Sequence, residues 1–560
     1  MPAPVGVGAT PQRAKRAGLI RVPIARLRGR IPEDGAPAQR SGAPPALSLG
    51  LPISTYWLHL ASRIHPVLAT THHAPIYEIG SAGAYNRESE FEGFQPVNPA
   101  FEEVMKIRGR GMPAAGEVTI KGNDPVFSAR FKIGETTANI LAGVGVAVTD
   151  IHEMKTGKRQ KVAIDVRHAA ATCQSSKLML RKENGGWKPV QSPSMEHMRS
   201  ITQPWQTKDG RWYLPHFNLP HLHDRVIGVL KCESSPEGVS RAVAKWDSHD
   251  LEEAVAAARA CGSIIRSNKE WLEHPHGKVL AGRALVDIQK IGDSDPIPFQ
   301  KGGRPLSGIR VLDLTRILAG PICARTLAEN GADVLMVTAD HLPQVPEHVM
   351  DTSHGKRSTY LNLGRAADVA TIKKLVRNAD VFSQGYRPGV MDRLGMSPEE
   401  LAKERPGLIY VSISAYGHGG PFSNRGGWEQ IAQCTTGICL DNGDERPKLL
   451  PASACDYTTG YNGAYGVLLA LARRAREGGS YHVRVSLCRS GMHIYKQGHV
   501  RYPEAEMGIT RADMDAIAIE TKGGHGTLKH LGPVLKMSET KPFWDKPSPV
   551  LGSSQPEWLS

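Results

Sequence analysis

The sequence predicts an α/β fold built on a doubly wound parallel sheet. After residue 306, short apolar segments alternate with helical segments at the spacing of β-α-β units, in which helices join parallel strands. The composition agrees, because 58 Gly residues and an aromatic share of only 6% suit helices packed closely on a sheet. Hydrophobic residues make up 40% of the 560 positions, which is enough for a large buried core.

The elements of this sheet follow one another from residue 308. Strand GIRVLDLT leads into helix GPICARTLAENGA, which begins at Gly-Pro and ends near Gly331. Strand DVLMVT, helix AADVATIKKLVRNA and strand DVFSQGY come next, followed by helix SPEELAKERPG with its Ser-x-x-Glu capping box and strand LIYVSISAYG. Ligands of such sheets bind at the carboxyl ends of the strands, here LTRILAGP, SQGYRPG and SAYGHGGP. No G-x-G-x-x-G follows the first strand, so a nicotinamide or flavin site is not favoured.

The region before residue 291 also shows regular patterns. ANILAGVGVAVTDIHEMKTG predicts a helix, and KVAIDVRHAAAT predicts a strand that leads into a helix. PWQTKDGRWYLP predicts two short strands joined by a KDG turn. LEEAVAAARACGSIIRS and NKEWLEHPHG are predicted as helical pieces. Residues 291–305 are rich in Pro, Gly and Asp and are predicted to be the main linker.

The formal net charge of +14 limits the possible partners. A basic balance fits nucleic acid, a membrane surface or an anionic small molecule. The sequence has no zinc-finger spacing or RNA-binding motif, so we predict neither a nucleic-acid partner nor a metal site, and a phosphate-rich ligand fits the charge equally well. The longest apolar runs are too short to cross a bilayer.

Two features bear on the compartment. The eight Cys residues form no C-x-x-C pair, which indicates free thiols in a reducing compartment. Residues 1–32 carry seven Arg or Lys and no acid, which is typical either of a mitochondrial presequence or of a disordered extension. We therefore expect a cytoplasmic protein, with the mitochondrion as the alternative.

One carboxylate has an unusual setting. Asp456 lies in ASACDYTTGY, between an apolar approach and a Gly- and Ala-rich helical run. It is either the N-cap of that helix, because Asp accepts hydrogen bonds from the first free N–H groups, or a nucleophile held at the helix start. Its neighbour Cys455 is more simply explained as a small buried side chain.

An internal repeat bears on this choice. Residues 153–166 are similar to residues 474–487, and aligning Thr136-Thr137 with Thr458-Thr459 places Gly134 opposite Asp456. Only the second copy therefore has the carboxylate. A purely structural role would usually be kept in both copies, although one lost cap costs only about 1 kcal/mol.

Residues 307–500 resemble the family III CoA-transferases, the CaiB/BaiF group that contains formyl-CoA and carnitine CoA-transferases. The stretches that carry the resemblance are LSGIRVLDLTRILAGPICARTLAENGADVLMV, ADVFSQGYRPGVMDRLGM, RPGLIYVSISAYGHGGPF and ACDYTTGYNGAYGVLLALARRAREGGSYHVRVSL. The resemblance implies a Rossmann-like CoA-binding domain and a smaller α+β domain. It also implies that Asp456 is the nucleophile, which moves CoA from a thioester to a carboxylic acid through an aspartyl-CoA intermediate.

The resemblance further implies a set of CoA contacts. CoA enters as a substrate thioester rather than as a permanently bound cofactor, and the partner subunit belongs to an interlocked homodimer. The predicted CoA contacts are Arg316, Lys356, Arg357, Arg387, Tyr416, Gly417 and His418. For three of them an ordinary structural role is the alternative: Lys356 and Arg357 could lie in a solvated turn, and His418 could be a plain loop residue.

The first half also resembles this family, so the chain looks like a second half placed before a first half, or a fused and degenerate duplication. The predicted organisation is a basic, disordered extension, a degenerate half with the small domain, a linker, the CoA-transferase domain and a tail that wraps over the surface. The corresponding boundaries are 1–75, 76–290, 291–305, 306–500 and 501–560.

The sequence departs from the family pattern in three places. Met336 and Thr338 replace a Lys and a Glu that contact CoA, and no Gly-rich flap is present in residues 200–300. Leu318 replaces a Gln, which argues against oxalate and formate, and with Trp428 it favours a larger organic acid.

Two alternative functions remain open from the sequence. One is an α-methylacyl-CoA racemase, although Trp428 and Glu429 stand where that group has His and Asp. The other is a catalytically silent CoA-binding or scaffold protein.

Overall fold

The computed structural model describes residues 99–190, 192–503 and 505–559. The predictions for residues 1–75 lie outside these ranges, so the compartment stays a prediction. No helix in the described ranges combines the length and the hydropathy that crossing a membrane requires.

The strands form four sheets. Their bounds are β1 Val118–Lys121, β2 Val162–Asp165, β3 Leu180–Glu183, β4 Gly186–Pro189, β5 Trp205–Gln206, β6 Trp212–His216, β7 Cys261–Ile264, β8 Asp287–Gly292, β9 Arg310–Asp313, β10 Asp333–Thr338, β11 Lys356–Tyr360, β12 Val381–Gln384, β13 Ile409–Ser414, β14 Ser480–Ser486, β15 Ala518–Gly523, β16 Gly526–Leu531 and β17 Lys536–Met537.

The helices lie between and around these strands. Their bounds are α1 Pro99–Arg108, α2 Ile133–Thr156, α3 Val166–Thr172, α4 Ser175–Leu178, α5 Pro193–Ile201, α6 Pro220–Leu230, α7 Pro236–Val243, α8 Ser248–Ala257, α9 Asn268–Glu273, α10 Pro275–Ala281, α11 Ala319–Ala328, α12 Pro346–Thr352, α13 Ala366–Val376, α14 Val390–Arg393, α15 Pro398–Glu404, α16 Glu429–Thr436, α17 Ile438–Asp441, α18 Ala454–Glu477, α19 Leu487–Lys496 and α20 Arg511–Ile517.

The main sheet has seven strands in the order β11-β10-β9-β12-β13-β14-β8. All neighbouring strands are parallel except β8, which runs antiparallel to β14 at one edge. Strands such as β12 are buried at every position, as expected for a sheet covered by helices on both faces. The predicted α/β class and the predicted strands from residue 308 are confirmed.

Two elements differ from the prediction. The segment CGSI was predicted as helical, but it forms β7 and pairs with β6, because its backbone completes the hairpin that β5 and β6 begin. Strand β8 was not predicted, and it ends at Gly292, inside the stretch that was predicted to be a linker. The residues of β8 are half-buried or exposed and show no clear strand pattern, so the strand forms because its backbone pairs with β14.

The smaller α+β lobe consists of the three-stranded sheet β5-β6-β7 and the helices α5 to α8. It has its own apolar core, which includes Ile201, Tyr213, Val226, Val239 and Leu251. Its chain runs from α5 to β7, and the main sheet begins at β8.

The two long helices of the predicted repeat are both present. Helices α2 and α18 each have 24 residues and pack against each other, and each leads into a strand and a further helix. Nearly every residue of α18 from Ala454 to Ala472 is buried. The start of the second helix is therefore held rigidly in the core of the protein.

Candidate active site

Asp456 is the third residue of α18 and is only 8% exposed. Its side chain borders a cleft of about 240 Å³ that opens where β9, β12 and β13 end. Arg316, Leu318, Tyr386 and Trp428 line the same cleft. The structure thus brings Asp456 together with residues of all three strand-end segments that the sequence singled out, and with both apolar residues expected near the site.

The cap of α18 is Glu429, not Asp456. The Cys455 N–H donates to one carboxylate oxygen of Glu429 at 3.1 Å, and the Asp456 N–H donates to the other at 2.6 Å. Glu429 also accepts from the Gln433 side chain at 2.7 Å. The capping interpretation of Asp456 is therefore excluded, because another carboxylate fills that role and leaves the Asp456 side chain free to face the cleft.

The N-terminus of α11 points at the Asp456 carboxylate. The backbone N–H of Ala319, the first residue of α11, lies close enough to this carboxylate to lower its pKa. Helix α11 comes this close because Gly460, one turn beyond Asp456, has no side chain: a Cβ there would lie 2.6 Å from the Ala319 carbonyl oxygen. A helix start combines free N–H groups with a positive dipole end, which favours a negative charge.

Burial raises the pKa of Asp456 well above its ordinary value, and the nearby Glu429 carboxylate raises it further, while the Ala319 N–H lowers it. The pKa of Glu429 is also raised, mainly because that side chain is buried. Two carboxyl groups so close in a dry site do not both ionise easily. A strongly perturbed acid that lines a cleft is typical of a functional residue.

The first copy of the repeat uses the same capping arrangement without a nucleophile. The Gly134 and Glu135 N–H groups donate to the carboxylate of Asp124 at 3.3 Å and 2.7 Å. A Cβ at Gly134 would lie 2.7 Å from the Val166 side chain. Both copies therefore keep the external carboxylate cap, and only the second has room for an acidic side chain.

A second, basic cleft adjoins the first. It has a volume of about 210 Å³, and it shares Tyr386, Ile413 and Ser414 with the cleft at Asp456. The predicted residues Gly417 and His418 lie here. The charged lining residues are Arg283, Arg387, Arg484, Arg489, Asp287 and Asp392.

The charges in this basic cleft are only partly balanced. Arg484 pairs with Asp287 at 2.8 Å, whereas Arg387 donates to the Arg259 carbonyl oxygen and has its pKa lowered by burial. Burial and neighbouring arginines also lower the pKa of His418. The cleft is therefore suited to an anionic ligand.

Three predicted contacts lie elsewhere. Lys356 is 1% exposed; its ammonium donates to Asp313 at 3.0 Å and to the Pro321 carbonyl oxygen at 2.9 Å. Arg357 pairs with Asp333 at 3.1 Å at the far edge of the sheet. Neither side chain lines a cleft: Lys356 reaches under the end of β9 to Asp313, and Arg357 lies on the outer strand β11.

Tyr416 also does not border either cleft. Its ring is 2% exposed and packs edge-on against His276, whose side chain contacts the Tyr416 carbonyl oxygen at 2.6 Å. Lys356, Arg357 and Tyr416 therefore lie outside both clefts in this structure, and contacts within the protein hold their side chains.

Cys455 is fully buried, and burial together with neighbouring acids raises the pKa of its thiol well above its ordinary value. A thiol with a raised pKa is a poor nucleophile. This agrees with the interpretation of Cys455 as a packing residue.

Comparison with known proteins gives the family. The sequence profile of CoA-transferase family III matches residues 306–554. An acetyl-coenzyme A transferase of Hypoxylon pulicicidum is 30% identical over 416 residues, which cover 66% of this chain and 70% of that relative. The chain belongs to CoA-transferase family III.

Further relatives of this family III enzyme cover less of it. A formyl-CoA:oxalate CoA-transferase of Afipia carboxidovorans is 31% identical over 46% of this chain and 68% of its own length. The crystal structure of a CAIB/BAIF family protein from Brucella suis is 27% identical over 40% of this chain and 65% of that chain, with a TM-score of 0.33.

Sequence reasoning missed two groups that lie next to Asp456 in this family III enzyme. Glu429 was noted only as a departure from the racemase pattern, whereas the structure makes it the cap that holds the start of α18. The Ala319 N–H belongs to the backbone, so no side chain in the sequence indicates it, although the segment LTRILAGP that contains Ala319 was predicted as a strand end at a ligand site. The loop after β6 brings Leu219 to the cleft, in the region where the family's Gly-rich flap was expected and not found.

Proposed function

We propose that this family III enzyme transfers CoA from an acyl-CoA thioester to a carboxylic acid, with Asp456 as the nucleophile. The observation that carries the proposal is the setting of Asp456. Its carboxylate borders a cleft, is relieved of capping by Glu429, and faces the N-terminus of α11. The relatives named as acetyl-CoA and formyl-CoA transferases support the same class of reaction.

In the proposed first step, an Asp456 oxygen attacks the thioester carbonyl carbon, the new C–O bond forms and the C–S bond breaks. The products are a mixed anhydride and CoA thiolate. The thiolate then attacks the Asp456 carbonyl carbon, which forms a C–S bond, breaks the C–O bond and releases the first acid as a carboxylate. Covalent catalysis of this kind divides one difficult transfer into easier steps.

The second acid completes the cycle by the reverse sequence. Its carboxylate attacks the aspartyl-CoA thioester and displaces CoA thiolate, which then attacks the acyl carbonyl carbon of the new anhydride. This step regenerates the Asp456 carboxylate and needs no proton donor or oxidant. The N–H of Ala319 is placed to stabilise negative charge that develops on the Asp456 carboxyl oxygens.

The two adjoining clefts suit the two parts of an acyl-CoA. The arginine-lined cleft, with Arg387, Gly417 and His418, is suited to the phosphates, because guanidinium groups bind phosphate strongly. The cleft at Asp456 is lined by Leu219, Leu318 and Trp428 and is suited to an acyl chain. The apolar lining supports an organic acid larger than formate.

The arrangement favours transfer over racemisation. A 1,1-proton transfer needs a second base on the opposite side of the substrate from Asp456. Among the described residues that line this cleft there is no His, and the oxygens of Glu429 already accept backbone N–H groups. A silent scaffold would have no need of a buried carboxylate that another acid relieves of capping the helix.

The test is peptide mass mapping after incubation with acetyl-CoA, butyryl-CoA or succinyl-CoA, with hydroxylamine present to trap activated carboxyl groups. We expect a hydroxamate or a CoA adduct on the peptide that contains Asp456. The variant Asp456→Asn serves as the control and should show neither adduct nor turnover. An unlabelled Asp456 peptide with CoA still bound would overturn the proposal and favour the silent scaffold.

Homodimerisation is also part of the proposal, because the family resemblance implies an interlocked pair of chains. Light scattering coupled to size-exclusion chromatography measures the molar mass in solution. A mass of about twice 60.8 kDa is the expected result, and a mass near 60.8 kDa would contradict it.

A further inference from the structure

Arg316 has an unusual environment for a guanidinium group. It is half-buried, and burial lowers its pKa. The Tyr386 hydroxyl partly offsets this effect, and among the described residues no carboxylate forms an ion pair with Arg316. Burying a charge without an opposite charge is costly, so such a group is normally paired.

The hydrogen bonds of Arg316 are incomplete as well. One terminal nitrogen donates to the carbonyl oxygen of Pro343, but the Nε–H is buried and has no partner among the described residues. A guanidinium group offers a fork of donors that fits a carboxylate or a phosphate. The other terminal nitrogen donates to no described residue, so it is the donor available to a ligand in the cleft that Asp456 also lines.

Backbone strain surrounds the same place. Ile317, directly after Arg316, has a φ of +76°, which is unfavourable for a β-branched residue. Leu219, on the opposite segment of the lining, has a φ of +64°. Residues held in such conformations persist where the surrounding structure fixes them, and they concentrate at ligand sites. Ile317 and Leu219 both border the cleft at Asp456, which indicates that the surrounding structure fixes the shape of this cleft.

The two clefts divide the anionic groups of the reaction. In the proposed reaction the CoA phosphates bind in the arginine-lined cleft, whose lining includes Arg387 and does not include Arg316. The cleft at Asp456 holds one cation, Arg316, together with the apolar Leu219, Leu318 and Trp428. When one carboxylate of an acid reacts at Asp456, the rest of the acid therefore lies in the same cleft as the positively charged Arg316 side chain.

We propose that Arg316 is a specificity-determining residue that binds the second carboxylate of a dicarboxylic acid. The favoured substrates then have two carboxylates separated by a short carbon chain, with one at Asp456 and the other at Arg316. This inference rests on the proposed CoA transfer at Asp456, and it departs from the expectation that Arg316 contacts CoA.

The test compares matched acceptors with the full-length protein. The donor is whichever of acetyl-CoA, butyryl-CoA and succinyl-CoA labels Asp456. The acceptors are succinate against butanoate, a pair used only with acetyl-CoA because the other donors would regenerate themselves, and glutarate against pentanoate with any donor. We expect kcat/KM of the wild-type protein to be about 10- to 100-fold higher for the dicarboxylate of each pair, which is the scale of a charge-assisted, partly buried contact. Equal values for both members would overturn the proposal without any variant.

Variants then assign the preference to Arg316. Arg316→Gln should reduce the ratio of dicarboxylate to monocarboxylate kcat/KM to near one, and Arg316→Lys should restore part of it because the charge is kept. Arg377→Gln, at a 62% exposed side chain on the surface, should leave the ratio as in the wild type. A raised KM for the CoA thioester in Arg316→Gln, with the acid preference unchanged, would show that Arg316 contacts CoA and would overturn the proposal.

The two levels of inference fail in different ways. If no acyl-CoA labels Asp456 in the wild-type protein, the proposed transfer itself is wrong. If Asp456 is labelled and the acids are not distinguished, only the role of Arg316 is wrong.

Discussion

The Glu429 carboxylate accepts the backbone N–H of Asp456 at 2.6 Å, so one acid caps the helix on which the other acid lies. The first repeat has the same relationship between Asp124 and the start of α2. The capping carboxylate thus belongs to the repeated architecture, whereas only the second copy has an acidic side chain at the position of Asp456. This separation frees Asp456 for chemistry and also places a second negative charge beside it.

The first prediction concerns the pH dependence of labelling. Glu429→Gln removes a carboxylate that raises the pKa of Asp456, so the pKa of Asp456 falls and the nucleophile ionises at lower pH. The acid limb of the pH profile for hydroxamate formation should therefore move to lower pH. The maximum rate should fall by about 10-fold, because Gln can accept only one of the two N–H groups and the cap weakens.

The control for this prediction is Glu404→Gln, which removes a carboxylate from the surface ion pair with Arg377. Its profile should coincide with that of the wild-type protein. An unchanged acid limb in Glu429→Gln would mean that the Glu429 carboxylate does not raise the pKa of Asp456.

The second prediction concerns stability. The pKa of Asp456 is raised in the folded protein, so its ionisation destabilises the fold as pH rises through the folded pKa, and the destabilisation is absent below the unfolded pKa. Asp456→Asn removes this cost and should raise Tm by on the order of 1–3 °C at pH 8, with a smaller gain at pH 5. Differential scanning calorimetry at both values checks it, and a Tm lower at pH 8 than that of the wild type would contradict it.

The third prediction concerns Lys356, whose ion pair with Asp313 is fully buried. Asp313 also accepts from the Thr315 N–H and hydroxyl, so this pair fixes the turn that leads to Arg316 and α11. Lys356→Met leaves a buried charge unpaired and should lower the free energy of unfolding by about 3–5 kcal/mol, measured by urea denaturation.

The surface variant Arg377→Gln serves as the comparison for Lys356→Met and should cost less than about 1 kcal/mol. Normal stability of Lys356→Met combined with a raised KM for acyl-CoA would instead support the direct CoA contact that the family resemblance implied.

The fourth prediction concerns thiol reactivity. Cys232 is half-buried, and the other seven cysteines, including Cys455, are buried. Iodoacetamide should therefore modify Cys232 alone in the native protein and all eight thiols in urea, as measured by peptide mass mapping. Loss of activity through modification of Cys455 in the folded protein would show that the start of α18 opens in solution.

The main sheet and Asp456 could be predicted because they depend on local signals. Strands of the sheet are apolar runs bounded by turn residues, and Asp456 lies in a run of motifs that is specific to one family. The strands β7 and β8 could not be predicted in the same way, because their short, mixed sequences become strands only through pairing with β6 and β14.

The contacts around the site were harder to predict for a related reason. Lys356 was expected to bind CoA from the family resemblance, but nothing in the sequence around it shows that Asp313 lies 3.0 Å from its ammonium. Glu429 caps a helix that begins 25 residues later in the chain, and the Ala319 N–H acts through the backbone. Such relationships depend on tertiary packing, which spacing along the chain does not encode.

The last prediction tests why the first repeat has no nucleophile. A Cβ at Gly134 would lie 2.7 Å from the Val166 side chain and 3.0 Å from the Val166 carbonyl oxygen, so no side chain fits there without a shift of α3. Gly134→Ala should therefore lower the free energy of unfolding by about 1–3 kcal/mol in urea denaturation. Gly228→Ala, in α6, meets nothing within 4 Å and should instead stabilise the protein by about 0.5–1 kcal/mol, because Ala favours the helix. Equal effects of the two substitutions would mean that the site at Gly134 can accept a side chain, and the absence of the carboxylate would then need an explanation other than packing.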